Sequence, residues 1–172
     1  GNIFIVGENN VTEIIGLPAI YERGQGGLMD IELHPNFKEN NLIFLSYASG
    51  NRESGGNTAI ASAELLENKL VNLKLLYKGE ENTTRGQHFG SRIQIDNDGY
   101  LYFTIGDRGN RDLNPQDLKK DGGKVYRINI DGSIPDDNPF IGSDGVKKAI
   151  YSYGHRNPQG IFLHPKTGKI WT

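Results

Sequence analysis

Apolar residues along this chain cluster in short runs closed by polar stretches that carry glycine or proline, the pattern of strands and turns rather than of helices. Three pairs of runs share one plan. Ile31–Leu33 and Leu42–Tyr47 flank the polar segment His34–Asn41. Ile93–Ile95 and Tyr100–Ile105 flank Asp96-Asn97-Asp98-Gly99. Ile161–Leu163 and Lys169–Trp171 flank His164-Pro165-Lys166-Thr167-Gly168. Each pair predicts a hairpin: an apolar strand, a turn, then an aromatic-rich strand. The turns open at His34, Asp96 and His164, 62 and 68 residues apart, and this spacing predicts repeated units.

Further strands are predicted at Thr58–Leu65, Leu70–Tyr77, Gly123–Ile130 and Ala149–Tyr153. The one helical signal is a single turn over Asn114–Lys120, with Pro115 early, where its missing N–H is tolerated. Four short antiparallel strands per repeat are the make-up of a propeller blade, so the expected fold class is all-β, with about three blades in this length. Propellers typically close with at least four blades. The expectation is therefore a fragment, residues 1–172, of one β-propeller domain that continues beyond Thr172; an open sandwich is the other arrangement the pattern allows.

Composition narrows the function classes. Lys and Arg number 19 against 21 Asp and Glu, a net charge of −2, which argues against a general nucleic-acid binder and gives no polybasic membrane segment. No apolar run approaches the roughly 18 residues of a membrane span, and Ile3–Val6 is too short for a signal-peptide core and lacks a basic flank. With no cysteine, disulfides, thiolate metal sites and cysteine nucleophiles are excluded. The 23 glycines point to many tight turns. Gly24-Gln25-Gly26-Gly27 lacks the helix that a dinucleotide fingerprint needs, and Asp96–Gly99 lacks the spacing and closing Glu of an EF-hand, so it reads as a hairpin turn.

The four histidines divide into two kinds. His34-Pro35 and His164-Pro165 hold the same place in two repeats and read as turn residues that bond locally. His88, in Arg85–Arg92, and His155, in Gly154–Gly160, sit in polar connections just before a strand; such connections converge at one end of a propeller. Asp107 ends the strand after the His88 hairpin, so the two can lie side by side, and a carboxylate beside an imidazole fixes its tautomer and raises its basicity. A turn-capping Asp107 paired with Arg108 is the other reading. Arg156, Asn157 and Gln159 offer hydrogen bonds suited to a planar, oxygen-rich anion, or else form a solvated turn.

Taken in order, GQGGLMDIELHPNF (24–37), HFGSRI (88–93), IGDRG (105–109), DGSIPDDNPF (131–140) and GHRNPQG (154–160) resemble the soluble quinoprotein sugar dehydrogenases, the glucose and aldose sugar dehydrogenase family. That resemblance implies a six-bladed β-propeller about twice this length, with pyrroloquinoline quinone (PQQ) and calcium in a funnel at one end. It implies oxidation of the anomeric carbon of a sugar to a lactone by hydride transfer to PQQ. His88 matches the general base and Asp107 the acid that orients it. Arg156 matches the group at the quinone oxygen, Asn157 and Gln159 further PQQ contacts, and Gln25 a polar residue near the substrate. Gln87 is not the acidic residue of the glucose-specialised branch, and the short loop Arg108–Gly122 fits the broader aldose-type branch. The resemblance further implies an external electron acceptor and a periplasmic or secreted location, with calcium ligands beyond Thr172, so no metal ligand is named. A non-catalytic propeller that binds carbohydrate or protein is the alternative, and a calcium-dependent lactonase a third. Retention of His88, Asp107, Arg156 and Asn157 together favours the enzyme.

Overall fold

In the computed structural model, which describes residues 1–80 and 82–172, the short apolar runs become antiparallel strands throughout. β1 (Ile3–Val6) and β2 (Val11–Ile14) form a hairpin. β3 (Leu28–Leu33), β4 (Leu42–Asn51), β5 (Gly55–Leu66) and β6 (Lys69–Lys78) make a four-stranded sheet in chain order. β7 (Ile93–Ile95), β8 (Tyr100–Ile105), β9 (Lys124–Asn129) and β10 (Ile150–Tyr153) make a second. β11 (Phe162–Leu163) and β12 (Ile170–Trp171) pair as a final hairpin. No helix among the described residues is long and apolar enough to cross a membrane.

The predicted strands form, with three departures. β4 and β5 run past the apolar stretches because their ladder continues through small residues, Ala48 opposite Thr58 and Gly50 opposite Gly56, which carry no hydrophobic signal. A one-turn helix, α1 (Phe37–Asn40), lies inside the first hairpin connection and ends at Asn41 in the left-handed region. The helical turn expected over Asn114–Lys120 does not form. There the Asn114 carbonyl accepts from the Lys124 ammonium at 2.5 Å, and Asp117 Oδ1 accepts the Lys119 N–H at 2.9 Å, a local bond that competes with helix.

The turn chemistry is as read. Asp96 Oδ1 accepts the N–H groups of Asp98 (3.0 Å) and Tyr100 (2.9 Å). His34 Nδ1 accepts the Asn36 N–H at 3.0 Å and His164 Nδ1 the Thr167 N–H at 3.2 Å, the same local task in two units.

Side chains alternate between the two faces of a strand, so β4 and β5 serve two cores. Phe44 and Ile60 pack with Ile93, Leu101, Phe103, Ile105, Tyr126, Ile128 and Ile150 of the second sheet. Ile43, Leu45, Tyr47, Ala59, Ala61 and Ala63 face the other way, onto Ile14 and Leu70. Phe103 stacks on Tyr126 with ring centroids 4.8 Å apart, and Tyr77 closes on both at 5.1 Å. Beside these rings lies the buried carboxylate of Asp121. It accepts from Tyr77 Oη (2.6 Å), Tyr126 Oη (2.9 Å), the Glu80 N–H (2.7 Å) and Lys147 Nζ (2.9 Å).

The first strands of successive units are neighbours: β7 touches β3 on one side and β11 on the other. Asp30 ties two of them, accepting from Arg92 at 3.1 Å and from the Ile93 N–H at 2.9 Å. The loops that lead into these strands are thereby brought to one place.

Candidate active site

Three connections meet there: Gly24–Gly27 before β3, Arg85–Arg92 before β7, and Gly154–Gly160 before β11. Gly24 has φ +60 and sits so close to the second loop that a Cβ would run into the Gly86 carbonyl; that carbonyl accepts the Gln25 N–H at 2.7 Å. Gln25 in turn accepts the His88 N–H on its side-chain oxygen at 2.8 Å.

His88 itself has φ +56, a left-handed conformation that bulky residues adopt only when their surroundings hold them there. Its Nδ1 lies 2.7 Å from Asp107 Oδ1. The imidazole is 17% exposed while the Asp107 side chain is fully buried, so a partly open ring rests on a buried carboxylate. Asp107 Oδ1 also accepts the Gly109 N–H at 2.6 Å, and Oδ2 is buried without a partner among the described residues. One carboxylate thus caps its own turn and contacts the His88 imidazole, without the Arg108 pairing that the turn-capping reading included. Arg108, at φ +53, is not its ion partner; its side chain bonds the carbonyls of Gln87, Arg85 and Gly56.

The third loop docks on the same point. The Arg156 carbonyl accepts the Asp107 N–H at 2.7 Å, and Asn157 Oδ1 accepts the Gly90 N–H at 3.0 Å. Gly106 makes the approach possible, since a Cβ there would strike the His88 carbonyl and Asn157 Oδ1. The Arg156 and Gln159 side chains are exposed, and Arg156 forms no ion pair with a described residue. Gln159, Gln25, Phe89 and Arg92 line a cavity of about 370 Å³ together with Leu28, Met29 and Gly90. Gln25 and Gln159 line this cavity, whereas His88, Asp107, Arg156 and Asn157 do not; Gln25 and Asp107 bond to His88, Arg156 meets Asp107 through its backbone carbonyl alone, and Asn157 reaches the cavity wall at Gly90. His155 is outside the group. It meets Ser152 at 3.0 Å, and burial together with the Lys124 charge lowers its pKa.

Two residues that shape the site carry no signal in the linear pattern. Arg108, buried, donates to the carbonyls of Gln87, Arg85 (3.0 Å) and Gly56 (3.1 Å) and lies 3.4 Å over the Phe89 ring. Lys124, at the start of β9, is enclosed and donates to the Asn114 and Gly122 carbonyls. Asn114 then donates from Nδ2 to the Asp107 carbonyl at 3.0 Å, so this lysine braces the loop behind the carboxylate. In sequence Arg108 reads as a residue of a glycine-bounded turn and Lys124 as a charged strand end, so neither role is marked.

Burial lowers the Lys124 pKa to about 8. Because the folded value lies below the unfolded one of about 10.4, the unfolded chain binds the extra proton between them, and stability rises with pH across that window. Urea unfolding of the complete protein at roughly pH 7.5 and pH 10 should show this rise flattened in Lys124→Met relative to wild type; an identical pH dependence would remove Lys124 as its source.

The chain is similar in sequence and in fold to known proteins. The profile of the glucose/sorbosone dehydrogenase family matches residues 1–172. Aldose sugar dehydrogenase YliI of Escherichia coli K12 is 37% identical over 158 residues, covering 91% of this chain and 42% of that protein. The solved apo structure of the soluble aldose sugar dehydrogenase of E. coli superposes with a TM-score of 0.90 at 35% identity, over 95% of this chain and 48% of that one. The PQQ-bound aldose sugar dehydrogenase of Streptomyces coelicolor matches with a TM-score of 0.82 at 28% identity, over 98% of this chain and 48% of that one. This chain thus spans about half or less of the length of each.

Proposed function

This chain belongs to the glucose/sorbosone dehydrogenase family, and from that premise we propose that it carries the proton-accepting part of a PQQ-dependent aldose dehydrogenase. The observation that supports this reading most is the His88–Asp107 pair, a buried carboxylate 2.7 Å from a partly open imidazole at the meeting point of three loops. Asp107 as an anion accepts at Nδ1, which leaves Nε2 as the free base. His88 then takes the proton of the sugar's anomeric hydroxyl, and Asp107 stabilises the imidazolium that results. Gln25 holds the His88 backbone and shares the neighbouring cavity, where its amide can meet sugar hydroxyls.

PQQ, when bound, supplies the electrophilic quinone carbon that accepts the anomeric hydride, leaving a lactone. The donors on this chain suit such a group. Arg156 is exposed and has no described carboxylate partner, Gln159 is exposed beside it, and Asn157 spends its oxygen on Gly90 and keeps its NH₂ to donate. Arg156 would bear the charge that develops on the quinone oxygen. Calcium is different. Among the described residues no three His, Asp or Glu side chains converge, so these residues offer no carboxylate cage and no step here passes through the metal. Its ligands belong, on this reading, beyond Thr172.

The architecture proposed with this function is a six-bladed propeller, the two four-stranded sheets being whole blades and the flanking hairpins parts of neighbouring ones. A periplasmic or secreted location and an external electron acceptor complete the reading. Gln87 and the short loop before Gly122 favour broad aldose use over strict glucose preference. The complete protein, supplied with PQQ and calcium, should reduce a dye with glucose, galactose or a disaccharide. Binding of sugar without dye reduction would instead make it a carbohydrate-binding propeller.

Arg156→Ala should weaken PQQ binding about 10–100-fold, the scale of one lost charge-assisted contact. Titration of the apo protein with PQQ, followed by recovery of activity, measures this; an unchanged affinity and endpoint would move the cofactor elsewhere.

A further inference from the structure

Asp107 and Arg108 are adjacent, yet they reach the segment Gln87-His88-Phe89 from two sides. Asp107 holds the imidazole of the middle residue at 2.7 Å. Arg108 holds what flanks it: its guanidinium donates to the Gln87 carbonyl before His88 and lies 3.4 Å over the ring of Phe89 after it. Its own N–H donates to the His88 carbonyl at 3.3 Å. Its Nη2 donates to the carbonyls of Arg85 and Gly56, so one side chain ties the His88 loop to β5.

This arrangement is expensive for a merely structural contact. Arg108 is 3% exposed, its Nε has no partner, and every hydrogen bond it makes ends on a neutral carbonyl rather than a carboxylate. A buried cation so placed gives little net stability. What it does secure is geometry. His88 is held at φ +56, a sparsely populated conformation that surrounding structure must support. Were the loop free to relax, the imidazole would leave Asp107.

From this we propose that Arg108 is a positioning residue for proton transfer: a planar clamp that fixes the backbone on both sides of His88 so that its Nδ1 stays on Asp107 and its other nitrogen stays aimed at the substrate. The proposal rests on His88 being the base. Lysine cannot replace the clamp, because only the planar guanidinium both stacks on Phe89 and spreads donors over several carbonyls.

The test uses the complete, PQQ-loaded protein and the variants Arg108→Lys, Arg108→Gln and His88→Ala with their double combinations. A displacement near 1 Å is worth about a hundredfold in rate, so Arg108→Gln should lower kcat roughly 10–100-fold at near-constant KM, and Arg108→Lys should not restore it. In the His88→Ala background the same change should add nothing, since the clamp acts through His88. Ring ¹⁵N signals of His88 in the apo protein should show one fixed tautomer in wild type and a mixture in Arg108→Lys. If Arg108→Gln does not fold, Phe89→Leu, which removes the stacking face and also alters the cavity wall, goes through the same cycle, read by kcat and the tautomer signal rather than by KM. A lower melting temperature with unchanged kcat and tautomer, or a loss that adds fully to that of His88→Ala, overturns the proposal while leaving the base in place. Wild-type turnover in His88→Ala overturns both.

Discussion

Turnover of the complete, PQQ-loaded protein is expected to fall on the order of 10²–10⁴-fold in His88→Ala, the usual contribution of a positioned general base. The geometry explains why no neighbour substitutes. The only other described carboxylate at this point, Asp107, is fully buried and already shared between the imidazole and the Gly109 N–H. His155 faces Ser152 and Lys124 instead. Because position 88 has φ +56, alanine there also adds backbone strain, whereas asparagine tolerates this region. His88→Asn therefore separates chemistry from folding: it should lose the same turnover with less loss of stability. Rates at saturating sugar, with PQQ occupancy confirmed by titration, decide the matter; activity near wild type in either variant removes His88 from proton transfer.

The largest effect on stability is expected at Asp121. Its carboxylate is fully buried and satisfies two tyrosine hydroxyls, the Glu80 N–H and the Lys147 ammonium. Burial beside Asp121 holds Tyr77 and Tyr126 far above the usual phenol range, so both stay neutral donors at every working pH. Asp121→Ala takes the acceptor from Tyr77 Oη and the Glu80 N–H, while Lys147 keeps Glu80 at 2.6 Å and Tyr126 keeps the backbone carbonyl of residue 121 at 2.6 Å, a defect worth about 2–4 kcal/mol for two buried donors left unpaired. Asp121→Asn keeps an acceptor and should lose less. Urea unfolding of the complete protein measures the difference; a loss under about 1 kcal/mol would mean that water replaces the carboxylate without strain.

What the linear pattern reveals and what it hides follow from the range of each interaction. Asp96-Asn97-Asp98-Gly99 announces its hairpin because the side chain that makes the turn lies within the turn. The pairing of His88 with Asp107 is foreseeable for a related reason: one hairpin brings the strand end of Ile105 back beside the loop before Ile93. The length of β4 and β5 is not, since alanine, serine and glycine extend the ladder without any apolar mark. Arg108 and Asp121 are further out of reach. An arginine in a glycine-bounded turn and an aspartate before Gly122-Gly123 read locally as solvated turn residues. Only the docking of the first sheet against the second encloses them, with Gly56 and Tyr77 supplied from strands far back in the chain.

The bond from the Asp107 N–H to the Arg156 carbonyl has a bearing on biosynthesis. At about 5–20 residues per second, the ribosome needs roughly 2–10 s to travel from one of these positions to the other. During that interval the hairpin that carries His88 and Asp107 has been made, but the third loop that braces the Asp107 backbone has not. Until residue 156 is added, the Asp107 N–H lacks the partner it has in the finished fold.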